Sequence, residues 1–156
     1  MRGKRAKKRE QKPDKKYGNV LITRLINKVM LHGKKSCAED IVYTSLERGA
    51  EIVKEKDVNV FLGKVIDNIR PSLETRARRV GGANYQVPVP VSPRRQEALA
   101  VRWLVEIVRN KSGKSFEELL TTELVNAYKG EGDAIKKKID TEKMAEANKA
   151  FAHFRW

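Results

Sequence analysis

The sequence predicts a mainly α-helical fold. About six helices form a bundle-like domain, a two-stranded β-hairpin protrudes from it, and a disordered basic arm precedes it. Three observations carry this prediction. Apolar residues recur at helical spacing in most of the chain after residue 18. One stretch, Arg76 to Val91 (RARRVGGANYQVPVPV), alternates instead, around a Gly-Gly pair. Residues 1–16 (MRGKRAKKREQKPDKK) hold one apolar side chain beyond Met1. Such a segment cannot offset its ordering entropy by burial, so it is expected to be flexible when alone. The predicted organisation is an arm over 1–16 and one helical domain over 17–156, with the hairpin at about 72–91. A chain of 156 residues can bury a substantial core.

The first helix is expected over Asn19–Leu31. Leu21, Ile22, Leu25, Ile26, Val29 and Met30 make its buried stripe. Gly33 is its left-handed stop, with His32 on the surface beside it. Ser36 with Glu39 reads as a capping box for a second helix. Its inner face is Ile41, Val42, Leu46, Ile52 and Val53, with Gly49 allowing close helix approach. Cys37 near its start is read as a small buried residue. The third helix, about Asn59 to Ile69, ends where Pro71 disfavours helical geometry at Arg70.

Next comes the hairpin, with Gly-Gly-Ala-Asn as its connection. On the return arm Tyr85, Val87, Val89 and Val91 define an apolar face. Pro88 and Pro90 on the other face cannot donate to a further strand, so this arm is an edge. Ser92-Pro93 then starts a fourth helix. Leu99, Ala100, Trp103, Leu104, Ile107 and Val108 face the core. Ser115 with Glu118 is a second capping box, opening a helix with Phe116, Leu119, Leu120, Leu124, Ala127 and Tyr128 inward. A last helix runs from about Asp133 to Asn148, with Ile135 and Ile139 inward. The tail FAHFRW either stacks on bases or docks on the protein itself.

The net charge is +14. Residues 1–16 carry nine basic and two acidic side chains, and residues 70–109 carry eight and three. The rest is nearly neutral, so the excess sits in two segments. That concentration is an electrostatic footprint for a polyanion. Arg95, Arg102 and Arg109 recur every seven residues, which returns within about 20° on a helix. They form one line, away from Leu104, with Arg94 beside the first. The alternative is a solvated face with an Arg102–Glu106 ion pair. Lys34 and Lys35 either touch phosphate or are solvated loop lysines.

Other classes find little support. No apolar run is long enough for a transmembrane helix, and the N-terminus lacks a signal-peptide stretch, which points to the cytosol. One cysteine and two histidines supply neither a multi-cysteine metal site nor an assembled nucleophile and base. Gly113-Lys114-Ser115 lacks the earlier glycine of an NTPase phosphate loop, because Val108 stands there. No cofactor fingerprint is present. A ribbon can enter the DNA major groove. Asn84, Gln86 and Tyr85 among arginines suit irregular RNA better.

The run RRVGGANYQVPVPVSPRRQEALAVRWLV, Arg78 to Val105, closely resembles the bacterial small-subunit ribosomal protein seven family. So do GKKSCAEDIVY, Gly33 to Tyr43, and MAEANKAFAHFRW, Met144 to Trp156. Pro90 and Ile139 depart from it, where acidic residues are usual. The resemblance implies a helical bundle with a protruding hairpin and no enzymatic activity. It implies primary binding to the 3′ major domain of 16S rRNA, where head assembly begins. The hairpin would lie near the exit-site tRNA, with small-subunit proteins nine and eleven as neighbours, and the protein would be a monomer outside the ribosome. By matching positions, rRNA contact falls to Arg2, Lys4, Arg5, Lys7, Lys8, Arg9, Lys34, Lys35, Arg76, Arg78, Arg79, Arg94, Arg95, Arg102 and Arg109. The tRNA side is the hairpin tip, Gly81, Gly82, Ala83, Asn84 and Tyr85.

Overall fold

The computed structural model describes Gly3 and residues 10–154. Among these residues the order is α1 (Val20–Val29), α2 (Lys35–Val53), α3 (Val58–Ile69), β1 (Leu73–Val80), β2 (Ala83–Pro90), α4 (Pro93–Asn110), α5 (Phe116–Lys129) and α6 (Asp133–Ala147). A 3-10 segment, Lys149–Phe154, follows. The helical body with a hairpin is as the periodicity predicts.

The expected stripes build the core. Ile22, Leu25, Val42, Leu46, Phe61, Leu62, Val65, Ile66, Ile69, Leu104, Val108, Leu120 and Leu124 are all fully buried. Each contributes roughly 1.5–3 kcal/mol of burial. At Gly49 the close approach is real. A Cβ there would stand 3.0 Å from Phe61 Cζ, so any side chain would push the ring by a few tenths of an ångström.

Most helix ends obey local chemistry. Asn19 caps α1 by accepting from Leu21 N–H at 2.8 Å, and Asp57 caps α3 through Asn59 N–H at 2.8 Å. Ser115 accepts from Glu118 N–H at 3.3 Å. Ser36 is a correction. The turn at His32 and Gly33, both left-handed, brings the chain into α2 two residues early, with Lys34 at the N-cap position. The Lys34 carbonyl then accepts from Ala38 N–H, and Ser36 lies inside the first turn with no capping role. Cys37 is exposed rather than buried. Ser92 occupies the N-cap position, but its carbonyl, not its hydroxyl, takes the first bonds, from Arg95 and Gln96 N–H.

Two apolar residues expected to face inward lie outside. Ile52 is 60% exposed and Ile139 is 42% exposed. Ile52 is about 100° around the helix from Val53, past the edge of the seam. On α6 the inward line runs through Ala134, Lys138, Glu142 and Ala145. Lys138 Nζ donates to the Asn68 carbonyl at 2.9 Å, and Glu142 accepts from Ser72 N–H and hydroxyl at 2.8 Å. Polar residues with backbone partners thus take places that apolar periodicity assigns to isoleucine.

The hairpin is antiparallel, with Val80 opposite Ala83 and Leu73 opposite Pro90. The connection is therefore two residues, Gly81 and Gly82, not four. Both have positive φ, +57° and +88°, which suits the right-handed twist of the arms. The sheet has two strands, so β2 is an edge as its prolines require. At the base Val87 and Pro88 are both buried, although they face opposite sides. Here α6 covers the proline side, so only the outer part of the ribbon is bare.

Candidate nucleic-acid interface

The base of the hairpin and the start of α4 meet at one carboxylate. Glu74 is 8% exposed. It accepts from Arg76 Nε at 2.8 Å and Nη2 at 2.6 Å, and from Arg95 Nε at 3.3 Å. A nearly buried acid in a positive segment therefore fixes the ribbon to the helix. A second carboxylate, Glu97 on α4, holds Arg70 at 3.0 Å and also Arg24 of α1. Arg109 Nη2 donates to the carbonyls of Lys28 and Val29, at 2.9 and 3.1 Å, at the end of α1. A cation there suits the helix dipole.

The arginine line on α4 is thereby divided. Arg95 and Arg109 brace the fold. Arg102, Arg94 and Arg79 are exposed and have no partner among the described residues. The Arg102–Glu106 pair is absent, and Glu106 faces Lys28 at 3.8 Å instead. Arg78, also exposed, stands opposite Tyr85 on the ribbon. Lys34 is exposed, and Lys35 pairs with Glu39 at 3.4 Å. Arg2, Lys4, Arg5, Lys7, Lys8 and Arg9 lie outside the described residues.

Between α1 and α4 runs a cleft of about 280 Å³ lined by Gln11, Arg24, Lys28, Arg94, Ala98, Val101 and Arg102. Four cationic side chains converge on it. Gln11, Arg24 and Lys28 carry no signal in the sequence, since their place depends on α1 packing beside α4.

The hairpin tip is open at Gly81, Gly82, Ala83 and Asn84. Tyr85 is half-buried. Phe151 and Phe154 lie 5.1 and 5.2 Å from its ring centroid. Phe151 and Phe154 thus dock on the ribbon, and Trp156 lies outside the described residues.

The arm joins the body further back than residue 17. Asp14 is 8% exposed, and Lys16 and the Tyr17 hydroxyl bond to Glu47 on α2. Burial pushes the Asp14 carboxyl up. Bonds from the Tyr43 hydroxyl and from the Tyr17, Lys16 and Lys15 amides outweigh this, and the net shift is downward. Glu47 is also lowered, by bonds from Lys16 and the Tyr17 hydroxyl.

Among the described residues no group of three or more His, Cys, Asp or Glu side chains could hold a metal ion. The acids near the cleft are occupied in ion pairs. The fold and the cleft together define a binding protein for a polyanion, with its positive groups mounted on braced helices. A family model described as ribosomal protein S7p/S5e matches residues 1–149. The chain is 53% identical over 151 residues to small ribosomal subunit protein uS7 of Rhodobacter capsulatus, covering 97% of this chain and 96% of that one. It is 51% identical to the uS7 of Fervidobacterium nodosum over 156 residues, and 53% identical to that of Thermosipho africanus, with all of each chain covered.

The chain belongs to the S7p/S5e family of ribosomal proteins. It is a structural, non-enzymatic component of the small ribosomal subunit, and ribosomal RNA is its polyanion.

Proposed function

We propose that this chain is a primary binder of the 3′ major domain of 16S rRNA and starts assembly of the subunit head. Its hairpin tip faces the exit-site tRNA, and small-subunit proteins nine and eleven are its neighbours. One observation supports this above the others. Arg79, Arg94 and Arg102 stay exposed, with no partner among the described residues, while neighbouring arginines are held by Glu74 and Glu97. The pinned arginines fix the frame, and the open ones meet phosphate. Arg78 extends the same surface, and the cations of the arm add charge for the same ligand. Counterion release supplies much of the affinity. Contacts to several RNA helices from one rigid body set their relative geometry. At the tip, Gly81 and Gly82 carry no side chain, so backbone can approach backbone closely.

Nuclease footprinting on whole small-subunit rRNA tests partner and site together. Protection in the 3′ major domain is expected, and protection confined to another domain refutes the reading. Removing residues 81–84 should leave that footprint and lower exit-site tRNA occupancy; a lost footprint would put the tip on rRNA instead. Equal affinity for duplex DNA at the same salt would favour a general DNA-binding ribbon.

A further inference from the structure

Glu74 divides its two carboxylate oxygens between two arginines. Oε1 accepts from Arg76 Nε at 2.8 Å and Nη2 at 2.6 Å, and Oε2 accepts from Arg95 Nε at 3.3 Å. Glu74 and Arg76 are two residues apart on β1, so they share one face of the ribbon. Arg95 comes from the first turn of α4. One carboxylate therefore holds two guanidiniums from different elements side by side.

The cluster turns its positive side to solvent. The Glu74 side chain is 10% exposed, while those of Arg76 and Arg95 are 55% and 39% exposed. A guanidinium carries five N–H donors in a fixed fork. Arg76 uses two of them on Glu74, and Arg95 uses one. The other donors of both residues have no partner among the described residues. Bracing alone is met by one arginine in a two-pronged pair with both oxygens of an acid. Here Arg76 takes a single oxygen, and the second oxygen serves another arginine.

We propose that Glu74 is a positioning residue for RNA binding, and that Arg76 and Arg95 form a two-arginine clamp for one backbone phosphate. The inner edges of the guanidiniums meet the carboxylate, and the outer edges meet the phosphate. An arginine already held in place loses less rotamer freedom on binding than a free one. The carboxylate also offsets the repulsion between two cations brought together. It lies behind them, so an approaching phosphate meets donors first. Arg94, the next residue on α4, lines the α1–α4 cleft, so the clamp links that cleft to the ribbon. The clamp rests on rRNA being the ligand and not on which of its domains is bound.

Glu74→Gln on the full chain tests the sign of the effect, with whole 16S rRNA as the probe. The substitution raises the net charge by one, so attraction by overall charge alone would tighten binding. The clamp requires the opposite. Affinity should fall about fivefold at 0.15 M salt, and the slope against log salt should become shallower by about 0.9, the share of one phosphate. In a chain carrying Arg76→Ala and Arg95→Ala, the same substitution should change affinity less than about twofold. Tighter or unchanged binding in the natural background overturns the proposal. So does an equal loss in both backgrounds, which makes Glu74 purely structural. If Glu74→Gln melts below assay temperature, the two arginine variants supply the reading. With one shared phosphate, each single variant should lose most of the fivefold, and the double variant should lose no more. A loss of about 30-fold with a slope change of about 1.8 in the double variant means two separate phosphates and refutes the clamp. No loss refutes phosphate contact there. A footprint outside the 3′ major domain would refute the domain assignment while leaving these comparisons intact.

Discussion

Replacing Arg94 and Arg102 together by alanine isolates the part of the positive surface that the fold does not use for itself. Both are exposed, line the same cleft and have no partner among the described residues, so the folded state loses no ion pair. Stability should change by less than about 0.5 kcal/mol, as for other surface sites away from special features. Two phosphate contacts contribute about 1.8 to the slope of log K against log salt. At 0.15 M salt that is a factor of about 30 in affinity, or about 2 kcal/mol. The assay is filter binding to 16S rRNA across a salt series, beside a thermal melt. Lys114→Ala with Lys129→Ala removes the same charge at two exposed sites outside the cleft. If that control flattens the slope equally, net charge and not the cleft governs binding. An unchanged slope in the arginine pair refutes phosphate contact there.

Further measurements bear on the scaffold. Glu123 is fully buried, accepting from Lys111 Nζ at 2.7 Å and Ala134 N–H at 2.9 Å. Lys111→Met strands that carboxylate and should cost about 3–5 kcal/mol in urea unfolding; a cost under 1 kcal/mol would mean that the pair contributes little. Asp14 and Glu47 have lowered values, so their stabilisation is complete above the unfolded carboxyl range of about 3.9–4.3 and is lost as pH falls through the folded values. The Tyr17 amide signal should therefore titrate with a midpoint below about 3.9, and a midpoint near 5 contradicts the direction. Phe151→Ala with Phe154→Ala removes two ring pairs on Tyr85, each worth roughly 0.5–1.5 kcal/mol beyond area. Amide exchange in β2 should quicken while the helices hold, and unchanged exchange would show that the tail does not brace the ribbon.

The helices and the ribbon were legible because each needs only short-range pattern: Leu21 to Met30 on one face, Tyr85 to Val91 alternating, Ser115 at its cap. The arginines of the ribbon and α4 were legible as a group, but not their division into braces and open contacts. That division depends on Glu74, which joins Arg76 of its own strand to Arg95 of α4, and on Glu97, whose partners Arg24 and Arg70 lie outside α4. Glu123 and Asp14 look like ordinary surface acids in the sequence. Their burial rests on Lys111 and Tyr43, twelve and twenty-nine residues away. Ile139 shows the reverse failure, since polar side chains with backbone partners can hold the α6 seam as well as methyl groups do, while Ile52 falls just past the edge of the α2 seam.

The aromatic cover on Tyr85 is made by residues that follow it by more than sixty positions. A growing chain adds about 5–20 residues per second, so Tyr85 is synthesised roughly 3–13 s before Phe151. A lone pair of strands is barely stable in water over such an interval. The cover of the finger therefore arrives only after every helix of the body has been synthesised.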